Sequence, residues 1–333
     1  LKESCGLGFA PAGFWLAVAG ALALLWPARS GPHWIALVAA VATLDLVFAG
    51  LGLNPSTNAA IYRGASAPAA PVTAEHRQYL FPEAERILKF ERTHRFDSFQ
   101  TSLDPWLIRA GGLPNTLLLD RVPSANNFDP LVPERYADWI SALADSSAAI
   151  QDQRLRLMDV GRVGEDAGPE PPWVTYRPIV GARRVRVVPR AVPVDGPDEA
   201  LAAMTVAGFD VEREVVLESP AAVARASGGP GTAVVAPTSS PDRVVIEVEA
   251  PQGGWLVLSD MWFPGWEAMI DGVPTAAYPA DSAFRALWVP PGSSTVTWDY
   301  RPLSFRVGLA LTVLGLVFVI GASFRRLARR RSA

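Results

Sequence analysis

Residues 307–324 carry no charged side chain, and five arginines follow at Arg325, Arg326, Arg329, Arg330 and Arg331. A helix crossing the hydrocarbon core of a bilayer needs about 20 apolar residues, within a range of about 17–25. This run meets that length, and clustered arginines mark the cytoplasmic side of such a helix. Two further apolar runs stand near the start. Residues 9–26 are uncharged with one proline, Pro11, and residues 34–53 are apolar except for Asp45. Both are also long enough, so the sequence predicts a membrane protein with three transmembrane helices. The arginines set the direction of the last helix from outside to inside. Residues 54–305 then lie outside the cytoplasm, the turn 27–33 lies inside, and the tail 325–333 is cytoplasmic. A cleaved signal peptide fits the start poorly, because a basic leading segment is lacking and a second apolar run follows closely.

Composition agrees with a membrane chain. Hydrophobic residues make up 50% and charged residues 19% of the 333 positions, against about 25% charged in a typical soluble domain. The 30 prolines are poorly tolerated in long helical bundles and call for a loop-rich, β-containing part. One cysteine, Cys5, excludes an internal disulfide framework, and three histidines leave little for a metal centre. A net charge of −3 provides no basic surface for nucleic acid. A chain beginning at Leu1 is expected to be a piece of a longer protein.

Asp45 falls inside a predicted span, about 12 Å below its outer end at about 1.5 Å per residue. Ionisable groups are costly there. It is either a polar contact near a substrate path or a packing residue hydrogen-bonded between helices.

The region between the spans divides by pattern. Residues 54–74 are rich in Ala, Pro, Ser and Thr without a period and read as an exit linker. Residues 75–240 read as a mixed α/β region. Pro82 opens a helix over 83–92, with strands expected at 95–99 and 117–122. A second helix is expected over 134–149, where Tyr136, Trp139, Ile140 and Leu143 share a face. Residues 153–160 alternate, and 161–172 read as a Gly/Pro/acid loop. Strands follow at 174–179 and 184–189, then a helix at 198–206 and a short strand at 215–218. The Pro/Gly/Ser/Ala stretch 219–240 reads as an internal boundary. Residues 241–303 have the clearest pattern. Val244, Ile246 and Val248 oppose Glu247 and Glu249, and period two recurs in three later segments. That predicts an antiparallel β-sandwich, with Asp271-Gly272 as a two-residue hairpin turn. The expected fold is therefore three transmembrane helices plus a large extracytoplasmic α+β domain ending in a β-sandwich.

An ordered series of residues resembles the C-terminal end of bacterial YfhO-type membrane proteins. It comprises Leu256–Asp260, Phe263-Pro264-Gly265-Trp266, Asp271-Gly272, Arg285, Val289–Gly292 and Tyr300-Arg301-Pro302. Asp45-Leu46, Asn54-Pro55, and Phe128–Leu131 with Arg135-Tyr136 add to it. One departure is Ser294, near which that family often has a histidine. YfhO-type proteins look like members of the GT-C class of membrane glycosyltransferases. The resemblance implies transfer of a sugar from a polyprenyl-phosphate donor to a cell-envelope glycan, on the outer face of a bacterial plasma membrane. The acidic catalytic residues of that class lie between early helices that precede this chain, so no catalytic residue is assigned. No cofactor or metal is assigned to these residues. The expected partners are membrane lipid, the polyprenyl-phosphate sugar and the glycan acceptor.

Candidate binding residues each carry two readings. Trp262 and Trp266 offer faces on which sugars could pack, or they pin a hairpin to the core. Asp260, Asp271 and Asp281 could converge as carboxylates, which acid/base work requires within roughly 5–10 Å, or could each serve a local turn. Asn126, Asn127 and Asp129 with Arg135 could hold a polar ligand, or could make the turn before a helix. Pro264-Gly265 reads as a tight turn. No nucleophile elbow, Walker loop, dinucleotide fingerprint or zinc-protease motif is present. Two function classes follow. One is the acceptor-recognising portion of a glycosyltransferase. The other is a non-catalytic, membrane-anchored external module that holds envelope glycans or a protein partner.

Overall fold

Period-two patterning becomes two facing β-sheets in the computed structural model. The structure describes residues 31–50, 75–93, 112–113, 115–126, 131–170, 173–206, 208–219 and 227–331, together with Val18, Tyr62 and Arg109. The chain divides into two units, Leu1–Phe128 with Arg162–Arg177, and Asp129–Gly161 with Pro178–Ala333.

In the first unit, helix α1 spans Pro32–Gly50. Strands β1 (Arg77–Leu80), β2 (Val160–Asp166) and β3 (Val174–Pro178) form a three-stranded sheet in that order. Helix α2 (Pro82–Ile87) starts at Pro82 and continues as a π-helical turn, Leu88–Thr93. Leu80, Leu88, Leu113, Trp173 and Val174 make the local core. The stretch expected to be a loop at 161–172 contains most of β2. Glycine there reflects close packing: a Cβ on Gly164 would collide with Leu80 and lie 2.9 Å from Val174 Cγ1. Gly164→Ala should destabilise the chain by about 1–3 kcal/mol, the usual cost of overpacking. An unchanged unfolding midpoint would mean that Leu80 and Val174 move aside freely. Where a strand is expected at 117–122, the structure has a 3-10 helix, Thr116–Asp120, bracketed by left-handed Asn115 and Arg121. A short apolar run alone does not distinguish these states. The strand expected at 95–99 lies outside the described residues.

In the second unit, helices α3 (Glu134–Ala144) and α4 (Ala148–Leu157) replace the single helix expected over 134–149. Asp145–Ser147 breaks them, and α4 runs through the alternation read at 153–160. The unit is built on strands β4 (Val185–Val188), β5 (Arg190–Val194), β6 (Glu214–Glu218), β7 (Thr232–Val235), β8 (Arg243–Ala250), β9 (Gly254–Leu258), β10 (Trp266–Ile270), β11 (Val273–Thr275), β12 (Tyr278–Ala280), β13 (Phe284–Val289) and β14 (Gly292–Tyr300). One sheet has the order β11-β10-β14-β8-β7, the other β4-β9-β13-β12-β6-β5. Val244, Ile246, Val248, Val296 and Trp298 from the first meet Val185, Val187, Leu256, Leu258 and Leu287 from the second in one core. The other face of the six-stranded sheet buries Trp255, Val257, Ala280 and Ala286. There Trp139 of α3 packs edge-on against Phe284 at 5.0 Å. β5 and β6 are parallel, so the chain crosses over between them through helix α5 (Pro197–Ala203).

The sandwich is larger than the 241–303 expected. β4 covers the edge of β9, and β7 covers that of β8, which removes two exposed edges. The stretch 219–240 therefore does not separate two folding units, because strands on both sides of it share sheets.

The three-span fold expected from the sequence is overturned. Among the described residues, one helix is long and apolar enough to cross a membrane. It is helix α6, Leu303–Arg331, whose stretch Leu303–Gly321 has 19 residues of mean hydropathy 2.3, none of it buried. Among the described residues, the apolar part of α1, Pro32–Val47, is one of the shorter apolar helices. Apart from Val18, the run at 9–26 lies outside the described residues.

Candidate functional site

Strand alternation on the outer face of the five-stranded sheet assembles a polar groove. β8 turns Val244, Ile246 and Val248 inward, so Glu247 and Glu249 face out. Register then places Ser293 of β14 and Thr232 of β7 on either side of Glu249. Thr295 and Val234 flank Glu247 in the same way. Asp271 closes one end. It occupies the left-handed region, with φ of +50° at Asp271 and +81° at Gly272, the conformation of a two-residue type I′ turn. Its carboxylate accepts a hydrogen bond from the Thr295 amide at 2.8 Å, and its own amide donates to Thr295 O at 2.9 Å. The turn is thereby tied to the strand that forms the groove floor.

The groove has a volume of about 470 Å³ and is also lined by Val248 and Ser294, within the range of roughly 300–1,000 Å³ typical of small-ligand sites. The Ser294 hydroxyl shares the inward face with Val248, Val296 and Trp298, so Ser294 reaches the groove through its backbone. Three carboxylates and the hydroxyls of Thr232, Ser293 and Thr295 line it without a basic side chain. Carboxylates accept hydrogen bonds, and hydroxyls both donate and accept. The surface is suited to a ligand rich in O–H or N–H groups and ill suited to an anion. Among the described residues, no three His, Cys, Asp or Glu side chains converge as metal ligands.

No family model, curated protein or solved structure matches the chain.

The residues singled out by sequence are scattered. Asp45 is half-buried on α1. Asn127 and Asp129 lie outside the described residues. Asn126 acts as a strand partner: its side chain accepts from Leu80 N at 2.6 Å and donates to Leu80 O at 2.7 Å. Arg135 grips Glu218 with both terminal nitrogens and donates to Ser282 O at 2.8 Å. That bond to the Glu218 carboxylate pushes the guanidinium pKa above its already high ordinary value, and the tie is structural. Asp260, Asp271 and Asp281 do not act as a set. Asp260 binds Arg184 in two-pronged fashion at 3.1 and 2.7 Å, Asp271 holds the turn, and Asp281 pairs with buried Arg186. Trp262 is half-buried. Trp266 packs against the sandwich core, and the Arg285 guanidinium lies 3.8 Å from its ring centroid, so one face of the indole is already covered. Pro264-Gly265 is a turn, with Gly265 at φ +109°, and Tyr300 stacks near Trp266 at 5.1 Å.

The groove residues Thr232, Glu247, Glu249, Ser293 and Thr295 are not among the binding candidates that the sequence offers. The outward facing of Glu247 and Glu249 was visible in the alternation. Which strands would lie beside them was not, because pairing partners are set by tertiary register.

Proposed function

We propose that this chain is a membrane-anchored, extracytoplasmic recognition domain for a neutral or amino-bearing envelope glycan. It would serve the polyprenyl-phosphate-dependent sugar transfer implied by the YfhO-type resemblance, presenting the acceptor. The groove carries this reading, because its hydroxyl and carboxylate lining matches a polyhydroxylated ligand and repels anionic polymers. The apolar helix α6, with arginines at its end, supports a place in a bacterial plasma membrane with the C-terminus in the cytoplasm. The sandwich would then stand outside.

Glu247→Ala and Glu249→Ala test it. A hydrogen bond to a charged group contributes about 1.5–3 kcal/mol, so each variant should weaken binding roughly tenfold or more, at 1.4 kcal/mol per decade. The measurement is calorimetry on the full chain in detergent micelles with a neutral N-acetylglucosamine tetramer. Equal binding by wild type and both variants would remove the groove from the account. Tighter binding of a polyanionic glycan than of the neutral one would overturn the ligand class.

A further inference from the structure

We propose that the loop 261–266 is a second membrane contact, an aromatic foot seated at the headgroup level of the bilayer beside the start of α6. This rests on the reading of α6 as a span. The occupant is the phospholipid interface itself.

The placement follows from a clamp. α6 begins at Leu303, directly after β14 and the two residues Arg301 and Pro302. Arg301 N donates to Gly265 O at 2.7 Å. A Cβ on Gly265 would lie 2.9 Å from Pro302 Cα, so loop backbone and helix entrance are in direct contact. At its other end Trp262 N donates to Ala283 O at 2.7 Å. The loop is therefore fixed at the level where the helix begins.

Aromatic rings gather at that level. Phe263 and Tyr300 have ring centroids 6.4 Å apart, and Trp266 and Tyr300 5.1 Å. Phe263 is 46% exposed, beside Leu303 at 70% and Phe305 at 68%. An apolar cluster of this kind is unfavourable in water, whereas Trp and Tyr concentrate at membrane–water interfaces. Arg306 on the first turn of α6 flanks the cluster, as does Arg301, which is 57% exposed and pairs with Asp299 at 3.1 Å. Long cationic side chains reach from such positions to lipid phosphates. The five-residue strand β10 then leads away from the foot to the Asp271 turn, roughly 16 Å distant at about 3.3 Å per residue. The foot would hold the groove clear of the surface.

The test uses the full chain with Cys5→Ser and one new cysteine at a time: Phe263→Cys, Leu314→Cys in the helix, or Val273→Cys beside the distal turn. Each is labelled with an environment-sensitive fluorophore and reconstituted in phosphatidylcholine vesicles brominated at shallow or deep acyl positions. We expect deep-bromine quenching at 314, and shallow-bromine quenching at 263 several-fold stronger than at 273. Quenching at 314 with no difference between 263 and 273 would leave the span standing and overturn the foot. No lipid quenching at 314 would overturn the span and the foot together, whatever the signal at 263.

Discussion

Asp281→Ala should cost the protein about 3–5 kcal/mol of stability, the usual loss when one partner of a buried ion pair is removed. Asp281 and Arg186 are both buried and face each other. The other Asp281 oxygen accepts from Val216 N at 2.9 Å, while Asp281 N donates to Val216 O at 2.7 Å. The residue thus links β12 to β6 and neutralises an arginine on β4. Its φ is +45°, a conformation that Asp and Asn tolerate better than Ala, which adds to the loss. Asp281→Asn keeps the backbone preference and one of the two acceptor oxygens, while its NH2 replaces the other, so it should cost less than Asp281→Ala without being neutral. Combining it with Arg186→Met removes the unpaired cation and should recover part of the deficit. Denaturant unfolding of the full chain in detergent, followed by tryptophan fluorescence, measures all of these. A change within about 0.5 kcal/mol for Asp281→Ala, the range of ordinary surface substitutions, would show that water reaches the pair.

That ion pair also shows why only part of the architecture is legible in the sequence. The alternation of Val244, Ile246 and Val248 against Glu247 and Glu249 is local and survives in β8. The Asp271-Gly272 turn is local too, because two consecutive positive φ values need residues that accept them. Arg186 and Asp281 are 95 positions apart, and neither has a neighbour in sequence that announces the other. The same holds for β7, whose Thr232–Val235 segment lies in a Gly/Pro/Ser-rich stretch and becomes a strand by pairing with β8. Gly164 misled for a related reason. Glycine favours loops by local preference, but here it permits close approach of Leu80 and Val174 across a sheet. The apolar stretch at the start of α1 passed a composition test for a span. The groove belongs to the same class. Its carboxylates were visible singly, while their grouping with Ser293, Thr295 and Thr232 depends on the register of three strands.

Trp298→Ala should be the most damaging single truncation in the sandwich, at about 3–5 kcal/mol. Trp298 is fully buried between the sheets, and the Arg285 guanidinium lies 5.0 Å from its ring centroid. Arg285 is itself buried and lies 3.5 Å from Asp260. Removing the indole opens a cavity and strips one aromatic wall from a desolvated cation, so two costs fall together. Trp266 supplies the other wall at 3.8 Å but is only half-buried. Trp266→Ala should therefore cost less than Trp298→Ala. Trp266→Phe, which keeps a π face for the cation, should cost less again. Thermal unfolding of the three variants as full chains in detergent gives the order directly. The same samples decide what Trp266 is for. If the indole packs against Arg285, its truncation lowers the midpoint while glycan affinity per folded molecule stays level. If it is a sugar platform, the midpoint holds and affinity falls. The second pattern would place the ligand beside Trp266 and Tyr300, at the end of the sheet that meets α6 and away from the groove of Glu247 and Glu249.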